Sequence, residues 1–320
     1  MRAFIIVAAL IISAWSCPAA AWGLKGHTLI GQAAVVHLAA DLPAFVRSTD
    51  AKDQIVYLQA EEDRLKIGEA DERAWYTQSA TDHYLDVADD GTIAGVVRLD
   101  ALPPTREDFT LSLTRAGEDP YRFGFLPYAV LEGYEQVRSD FALWRIAAAV
   151  GRGRAGVAGR VAQQEIRRRE LLTIHDIGIF SHFVGDASQP LHVSVHYNGW
   201  GRYPNPSHFS QSRQTHAEFE DEFVGKYIAA RDVVPLVRSP NELTQVPLAA
   251  IQSYIAGSAA RVVPFYSLKR RGAFALQDAA SPVHLEGVRF TAERLAAAAT
   301  MLDALIDTAW RTSAGMRSQF

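Results

Sequence analysis

Apolar residues return at three- and four-residue steps along most of this chain, and that rhythm predicts helix after helix. From Thr28 to Ala40 a stripe runs through Leu29, Ala33, Val36 and Ala40, with His37 beside it as a core residue or a support for a ligand. A second helix follows Asp50, through Ile55, Val56 and Leu58, into the charged run Glu61-Glu62-Asp63-Arg64-Leu65-Lys66. Tyr128, Leu131, Tyr134, Val137, Phe141 and Trp144 mark a third over residues 125–150, which the glycine-rich stretch from Gly151 to Gly156 ends. The next opens at Arg167-Arg168-Arg169, read as a solvated face, and passes Leu171, Ile174, Gly178 and Phe183 before Pro190 closes it. A last long helix, Gly287 to Trp310, turns Leu295, Ala298, Leu302, Leu305 and Ala309 inward. Between these, Thr81 to Asp86 alternates, residues 89–104 read as turn-rich connection, and Val193 to Thr215 reads as a loop rich in Gly, Pro and aromatic residues. The predicted architecture is all-α: one mostly helical domain over residues 22–320, with little or no sheet.

Ionisable groups interrupt the apolar pattern at two places. In His182-Phe183-Val184-Gly185-Asp186-Ala187-Ser188-Gln189-Pro190-Leu191-His192, the first histidine and the aspartate stand four apart and project from one helix face. His192 lies just past the proline, where the chain can fold back toward them. His216 and Glu220 repeat the four-residue spacing after the polar loop. Charged groups set into an apolar run need a partner, and imidazole with carboxylate is the ligand set zinc takes when thiolate is scarce. Cys17 is the single cysteine. His175, seven residues before His182, reads as a structural or supporting residue on the same face.

Composition adds limits. With 320 residues, 48% hydrophobic and 21% charged, the chain can bury a large core, and a net charge of −4 gives no bulk attraction for nucleic acid. Residues 1–21 read as a signal peptide: Arg2 is the positive region, Phe4 to Ile12 an apolar run too short to span a membrane, and Ala19-Ala20-Ala21 the cleavage site. Cleavage there would export the protein to the periplasm or the exterior with no cysteine, no disulfide and no membrane anchor; lipidation of Cys17 is the rival reading. The new N-terminus would be Trp22-Gly23-Leu24-Lys25-Gly26-His27, whose freed amine and imidazole could chelate a metal together.

Trp-Gly-x-x-Gly-His after a signal peptide, followed by His-x-x-x-Asp-x-x-Gln-Pro-Leu-His, resembles the zinc-dependent nuclease and phospholipase C superfamily. The N-terminal motif is closer to its single-strand-specific nucleases, of the nuclease P-one and S-one type. The resemblance runs from Trp22 to Glu220 and implies a helical fold around three zinc ions in a cleft. It implies that Asp63, His83, His182 and Asp186 hold one ion, that His192, His216 and Glu220 hold a second, and that the Trp22 amine and carbonyl, His27 and a shared Asp186 hold the third. Asp63 would also position the attacking water, Lys66 would meet the substrate phosphate, and Tyr84 would stack on a base or cover a headgroup. Asp71 competes with Asp63 for its place, and Asp82 and Asp86 would support the His83 imidazole. The sequence departs from the family pattern at Glu61, where an aromatic residue is usual, and at Lys66, where arginine is usual. Glu220 is the carboxylate more usual in the phospholipases. The implied reaction is hydrolysis of single-stranded DNA or RNA to 5′-phosphate products, with phospholipid cleavage as the alternative and non-catalytic zinc binding as a third reading; no stable protein partner is implied.

Overall fold

Helix supplies nearly all the regular structure. In the computed structural model, which describes residues 22–65, 80–238, 243, 247–277 and 279–317, α1 spans Gly23–His37, α2 Thr49–Leu58 and α3 Arg106–Arg115. They are followed by α4 Leu126–Gly151, α5 Gly156–Asp186, α6 Pro247–Ala259, α7 Val262–Arg270 and α8 Pro282–Ser313. The only strands among the described residues are β1 Thr92–Ile93 and β2 Val97–Arg98, an antiparallel pair in which Thr92 faces Arg98 and Ile93 faces Val97. The class is therefore all-α. The hairpin lies inside the stretch read as plain connection, because two-residue strands are too short to show an alternating pattern.

α4 and α5 fold back on each other across the turn at 152–155, where Gly153 takes φ +72°. That left-handed backbone is open to glycine at little cost. α8 packs against α4, α1 and α5, with Leu295, Ala298, Leu302, Leu305 and Ala309 all buried as their spacing predicts. Each buried leucine of this kind contributes roughly 1.5–3 kcal/mol of transfer free energy. The alanines between them let the helix backbones approach closely.

Two helix faces differ from the expected stripes. α1 ends at His37, before Ala40, and Val36 is 61% exposed. Leu29 and Ala33 of the predicted stripe are buried, together with Gly26, His27, Ile30 and Ala34, so the inward face is centred nearer His27 than the stripe through Val36 predicts. α5 begins at Gly156, well before the arginine run, so Arg167 and Arg168 sit mid-helix on an exposed face. Leu171 is 69% exposed, and the inward face near the end of α5 is Thr173, Ile177, Phe180, Ser181 and Val184. In the first half of α5 the packed face is the one at Ala162 and Ile166, against Gly151 of α4, and Leu171 and Leu172 lie on an exposed side.

Two glycines on α5 set the spacing around the site. A Cβ at Gly178 would stand 2.4 Å from Leu58 Cβ on α2, and one at Gly185 would stand 3.1 Å from His27 Nδ1 on α1. In a close-packed interior neither overlap can be absorbed cheaply, so α1 and α2 reach α5 because those side chains are missing.

A candidate metal centre of buried imidazoles and carboxylates

The site grows from the end of α5. His182 and Asp186, one helical turn apart, are both fully buried. Beyond Ala187 the chain enters the 3-10 turn Pro190–Val193, capped by the Gln189 side-chain oxygen, which accepts from Leu191 N at 2.7 Å. That turn swings His192 back over Asp186, to 4.0 Å. His216 comes from the single turn Thr215–Ala217 and Glu220 from the π-helical stretch Glu218–Phe223 that continues it. A π-helical insertion widens the turn, and such insertions recur at functional sites. α1 adds His27, and the short helix Glu61–Arg64 after α2 adds Asp63. Thr81, His83, Leu85 and Val87 are buried while the residues between them are half-buried, so the predicted alternation delivers His83 inward.

The result is three groups, the first two sharing His182: His27, Asp63 and His182; His83, His182 and Asp186; and His192, His216 and Glu220. Within each group one ligand-type atom per residue lies within 4.8 Å of the others. Asp186 bridges the first two, with Oδ1 3.3 Å from His27 Nε2 and Oδ2 3.4 Å from His182 Nε2. Asp63 spans them from the other side, 3.7 Å from His83 Nε2, 3.9 Å from His182 Nε2 and 3.9 Å from His27 Nε2. Glu220 takes His192 Nε2 at 3.2 Å and His216 Nε2 at 2.8 Å.

The imidazoles are held by main-chain carbonyls, which the sequence does not reveal. His182 Nδ1 faces Gln59 O at 2.8 Å, His192 Nδ1 faces His83 O at 2.6 Å and His216 Nδ1 faces Tyr197 O at 2.9 Å. A carbonyl can only accept, so each Nδ1 donates, and in the neutral ring each Nε2 turns a lone pair into the cluster. His192 Nε2 and His216 Nε2 consequently stand 3.1 Å apart, an arrangement of two acceptors that needs a shared proton or cation. Two imidazole nitrogens bound tetrahedrally to one zinc at about 2.0–2.1 Å would lie roughly 3.3 Å apart. Both nitrogens of His27, both oxygens of Asp186 and Glu220 Oε2 are buried without an aligned hydrogen-bond partner. A buried carboxylate with that deficit is costly unless a cation completes it. The donor set therefore fits metal ions.

Electrostatics agrees. Burial is the largest influence on Asp186 and pushes its carboxyl up, but the imidazoles of His182 and His192 outweigh it and hold the group well below the usual carboxylate range. Glu220 is likewise raised by burial and brought down to about 2, chiefly by His216 and His192. Burial, followed by the neighbouring His182, lowers His27 and favours its neutral, ligating form. His192 goes the other way: burial would lower it, yet Asp186 and Glu220 lift it to about 9. A proton on His192 does part of what a cation would do there.

Trp22 closes the site at its N-terminal side. Its indole N–H donates to Gly185 O and Ser188 Oγ, each at 2.9 Å, and its backbone takes φ +41°, a left-handed value costly for a bulky residue. Its carbonyl accepts from Gly26 N at 3.1 Å, which leaves one oxygen lone pair for another partner. Gly23, next to it, packs against Glu220 O and Asp221, so the start of α1 lies beside the third group.

Other expectations fare differently. Lys66 and Asp71 lie outside the described residues. Tyr84 is half-buried and its hydroxyl donates to Tyr121 O at 3.0 Å. Asp82 does not support His83: it pairs with Arg106 at 2.5 Å, because Arg106 on α3 offers a full charge where an imidazole offers one only when protonated. Asp86 is raised to about 7 by burial, opposed by Arg122. His175 stands within about 20° of the His182 face, but two turns earlier, where that face of α5 is open to solvent, and it pairs with Asp176 at 2.7 Å. His196 is buried, stacked on Trp200 at 3.7 Å and paired through Nε2 with Asp89 at 2.9 Å. Sequence reasoning missed Gln189, whose amide donates to Glu220 Oε1 at 2.5 Å. Replacing it, in Gln189→Ala, is expected to weaken metal affinity about 10–100-fold, the range for losing a support of a ligand. Competition with a metal-binding dye measures this, and an unchanged affinity would show that Glu220 holds its place unaided.

No model of a known protein family and no curated protein matches the chain. No helix among the described residues is long and apolar enough to cross a membrane.

Proposed function

We propose that this protein is an exported zinc-dependent phosphodiester hydrolase that cleaves single-stranded nucleic acid. The observation that carries the reading is that three groups of buried imidazoles and carboxylates lie linked together: two of them share His182, and Asp186 reaches His27 at 3.3 Å, His182 at 3.4 Å and, in the third group, His192 at 4.0 Å. A lone structural zinc would need four ligands in one closed group; a chain of linked groups suits several ions working together. The motif from Trp22 to Glu220, similar to the single-strand-specific nucleases, supports zinc and supports three ions. When bound, paired zinc ions supply Lewis acidity to the phosphoryl oxygens and lower the pKa of water.

The chain's own groups then have distinct tasks. His182, His192 and His216 present lone pairs from rings fixed by main-chain carbonyls, and His83 adds a buried imidazole beside Asp63. Asp186 and Glu220, whose side chains are 0% exposed, neutralise charge inside. Asp63, 10% exposed, is the carboxylate of the cluster that reaches its solvent edge, and there it would orient a water and accept its proton. Lys66, three residues on, would approach the phosphate.

The deciding experiment measures metal content by mass spectrometry and then offers the purified protein single-stranded oligonucleotide and phosphatidylcholine vesicles in parallel. About three zinc ions per chain and oligonucleotide cleavage are expected. Vesicle hydrolysis alone would favour the phospholipase reading that Glu220 supports, metal without hydrolysis would leave a zinc-binding protein, and absence of tightly held metal would end all three.

Processing gives a second test. If the amine of Trp22 is a ligand, one extra residue before it should remove about one zinc per chain and most of the activity. Full zinc content in the extended protein would show that the third ion does without the amine.

A further inference from the structure

Away from the metal cluster, α8 lines a pocket of about 620 Å³ with α6 and the segment at Leu236 and Arg238. This volume lies within the range of about 300–1,000 Å³ usual for small-molecule sites. None of the nine candidate metal-site residues lines it. Three of its side chains are arginines, Arg238, Arg261 and Arg294, and no carboxylate among the described residues lies within ion-pair distance of any of them. The one acid at the pocket, Glu293, is taken by Arg289 at 2.9 Å.

Arg294 makes the arrangement informative. It is half-buried, and burial, followed by the facing charge of Arg261, holds its guanidinium below the usual range. A guanidinium that has lost water normally recovers the loss from a carboxylate. Here it faces a second cation instead, so the pocket concentrates positive charge in a protein whose net charge is negative. Apolar side chains line the pocket too, among them Leu236, Met301 and Ala304. Tyr254 also lines it, its hydroxyl donating to Val184 O on α5 at 2.9 Å.

We propose that this pocket is a second ligand site, separate from the metal cluster, for an organic phosphomonoester: Arg238, Arg261 and Arg294 take the phosphate, and Leu236, Met301 and Ala304 take the apolar body. A phosphomonoester is close to a dianion at neutral pH and presents three oxygens, which suits several guanidinium forks better than a carboxylate's two. The bounded volume suits a small molecule.

Calorimetric titration of the metal-loaded protein with adenosine 5′-monophosphate, inorganic phosphate and adenosine tests the proposal. The nucleotide should bind, phosphate should bind at least about tenfold more weakly, and adenosine should bind least. The double variant Arg261→Met with Arg294→Met should weaken nucleotide binding at least about tenfold at unchanged zinc content, whereas Asp186→Asn, which impairs the metal cluster, should retain it. Arg238→Met and Arg261→Met, each at an exposed position, give the same reading singly should the double variant not fold. The proposal is overturned by binding that survives the arginine substitutions and disappears in Asp186→Asn, or by no binding of nucleotide to the unaltered protein. Phosphate binding as tightly as the nucleotide would overturn the assignment to an organic ester.

Discussion

A chelator is expected to lower the melting temperature of the metal-loaded protein by on the order of 10–20 °C and to abolish hydrolysis. A site held at about a thousand times its Kd adds about 4 kcal/mol to stability, and in a chain of this size each kcal/mol moves the midpoint by roughly 2 °C. Two such sites give about 16 °C, inside that range, and a third equally tight site would carry the shift to about 24 °C. The shift should also depend on pH. With metal removed, His192, raised to about 9, contributes stability that is complete below its unfolded pKa near 6.5 and is lost as pH rises through 9. Glu220, lowered to about 2, contributes stability that is complete above its unfolded value near 4.5 and is lost as pH falls through 2. The metal-free protein is thus best supported by this pair between about pH 4.5 and 6.5. Metal binding runs the other way, since it must displace the proton from His192. Scanning calorimetry with and without chelator should show the larger difference at pH 8.5 and the smaller at pH 5.5. Equal differences would mean that ions are not held through His192 and Glu220, and no difference at either pH would mean that helix packing alone carries the fold.

Much of this arrangement is legible in the sequence, for identifiable reasons. α4 and α8 show themselves because both flanks of each long helix alternate between core and solvent over many turns, so the apolar spacing is sampled repeatedly. α1 and α5 are located correctly but turned wrongly, at Val36 and Leu171. In α1 a polar residue, His27, occupies the buried face, and in α5 the apolar Leu171 and Leu172 lie on an exposed one. Apolar spacing carries no information on either. The two His-x-x-x-acid pairs are visible because helix geometry makes four-residue neighbours adjacent. That His27, Asp63 and His83 join them depends on approaches made possible by Gly178 and Gly185 and on the turn at Gln59, and these are tertiary facts. The ring orientations are less legible still, because Gln59, His83 and Tyr197 act through carbonyl oxygens that every residue possesses.

Substitution of Asp63 should separate catalysis from metal binding. Asp186 and Glu220 are sealed among imidazoles, and replacing either removes a charge that the metals and rings need in place. Asp63 differs in position: it stands between the first two groups at 3.7–3.9 Å from His27, His83 and His182, with part of its side chain open to solvent. Asp63→Asn keeps the size and one oxygen that can face a cation, while losing the negative charge and the basicity. His83, His182 and Asp186 still present their atoms to the same ion, so zinc content should fall by less than one ion per chain. Hydrolysis of a single-stranded oligonucleotide should fall by about two to four orders of magnitude, the range for loss of a general base. Asp71→Asn serves as the comparison, expected to stay within a few-fold of the unaltered protein, and the two results should exchange if Asp71 is the acid that works with the metals. Zinc counted by mass spectrometry beside each rate distinguishes a lost base from a lost ion, and full activity in Asp63→Asn at full zinc content would remove this carboxylate from the mechanism.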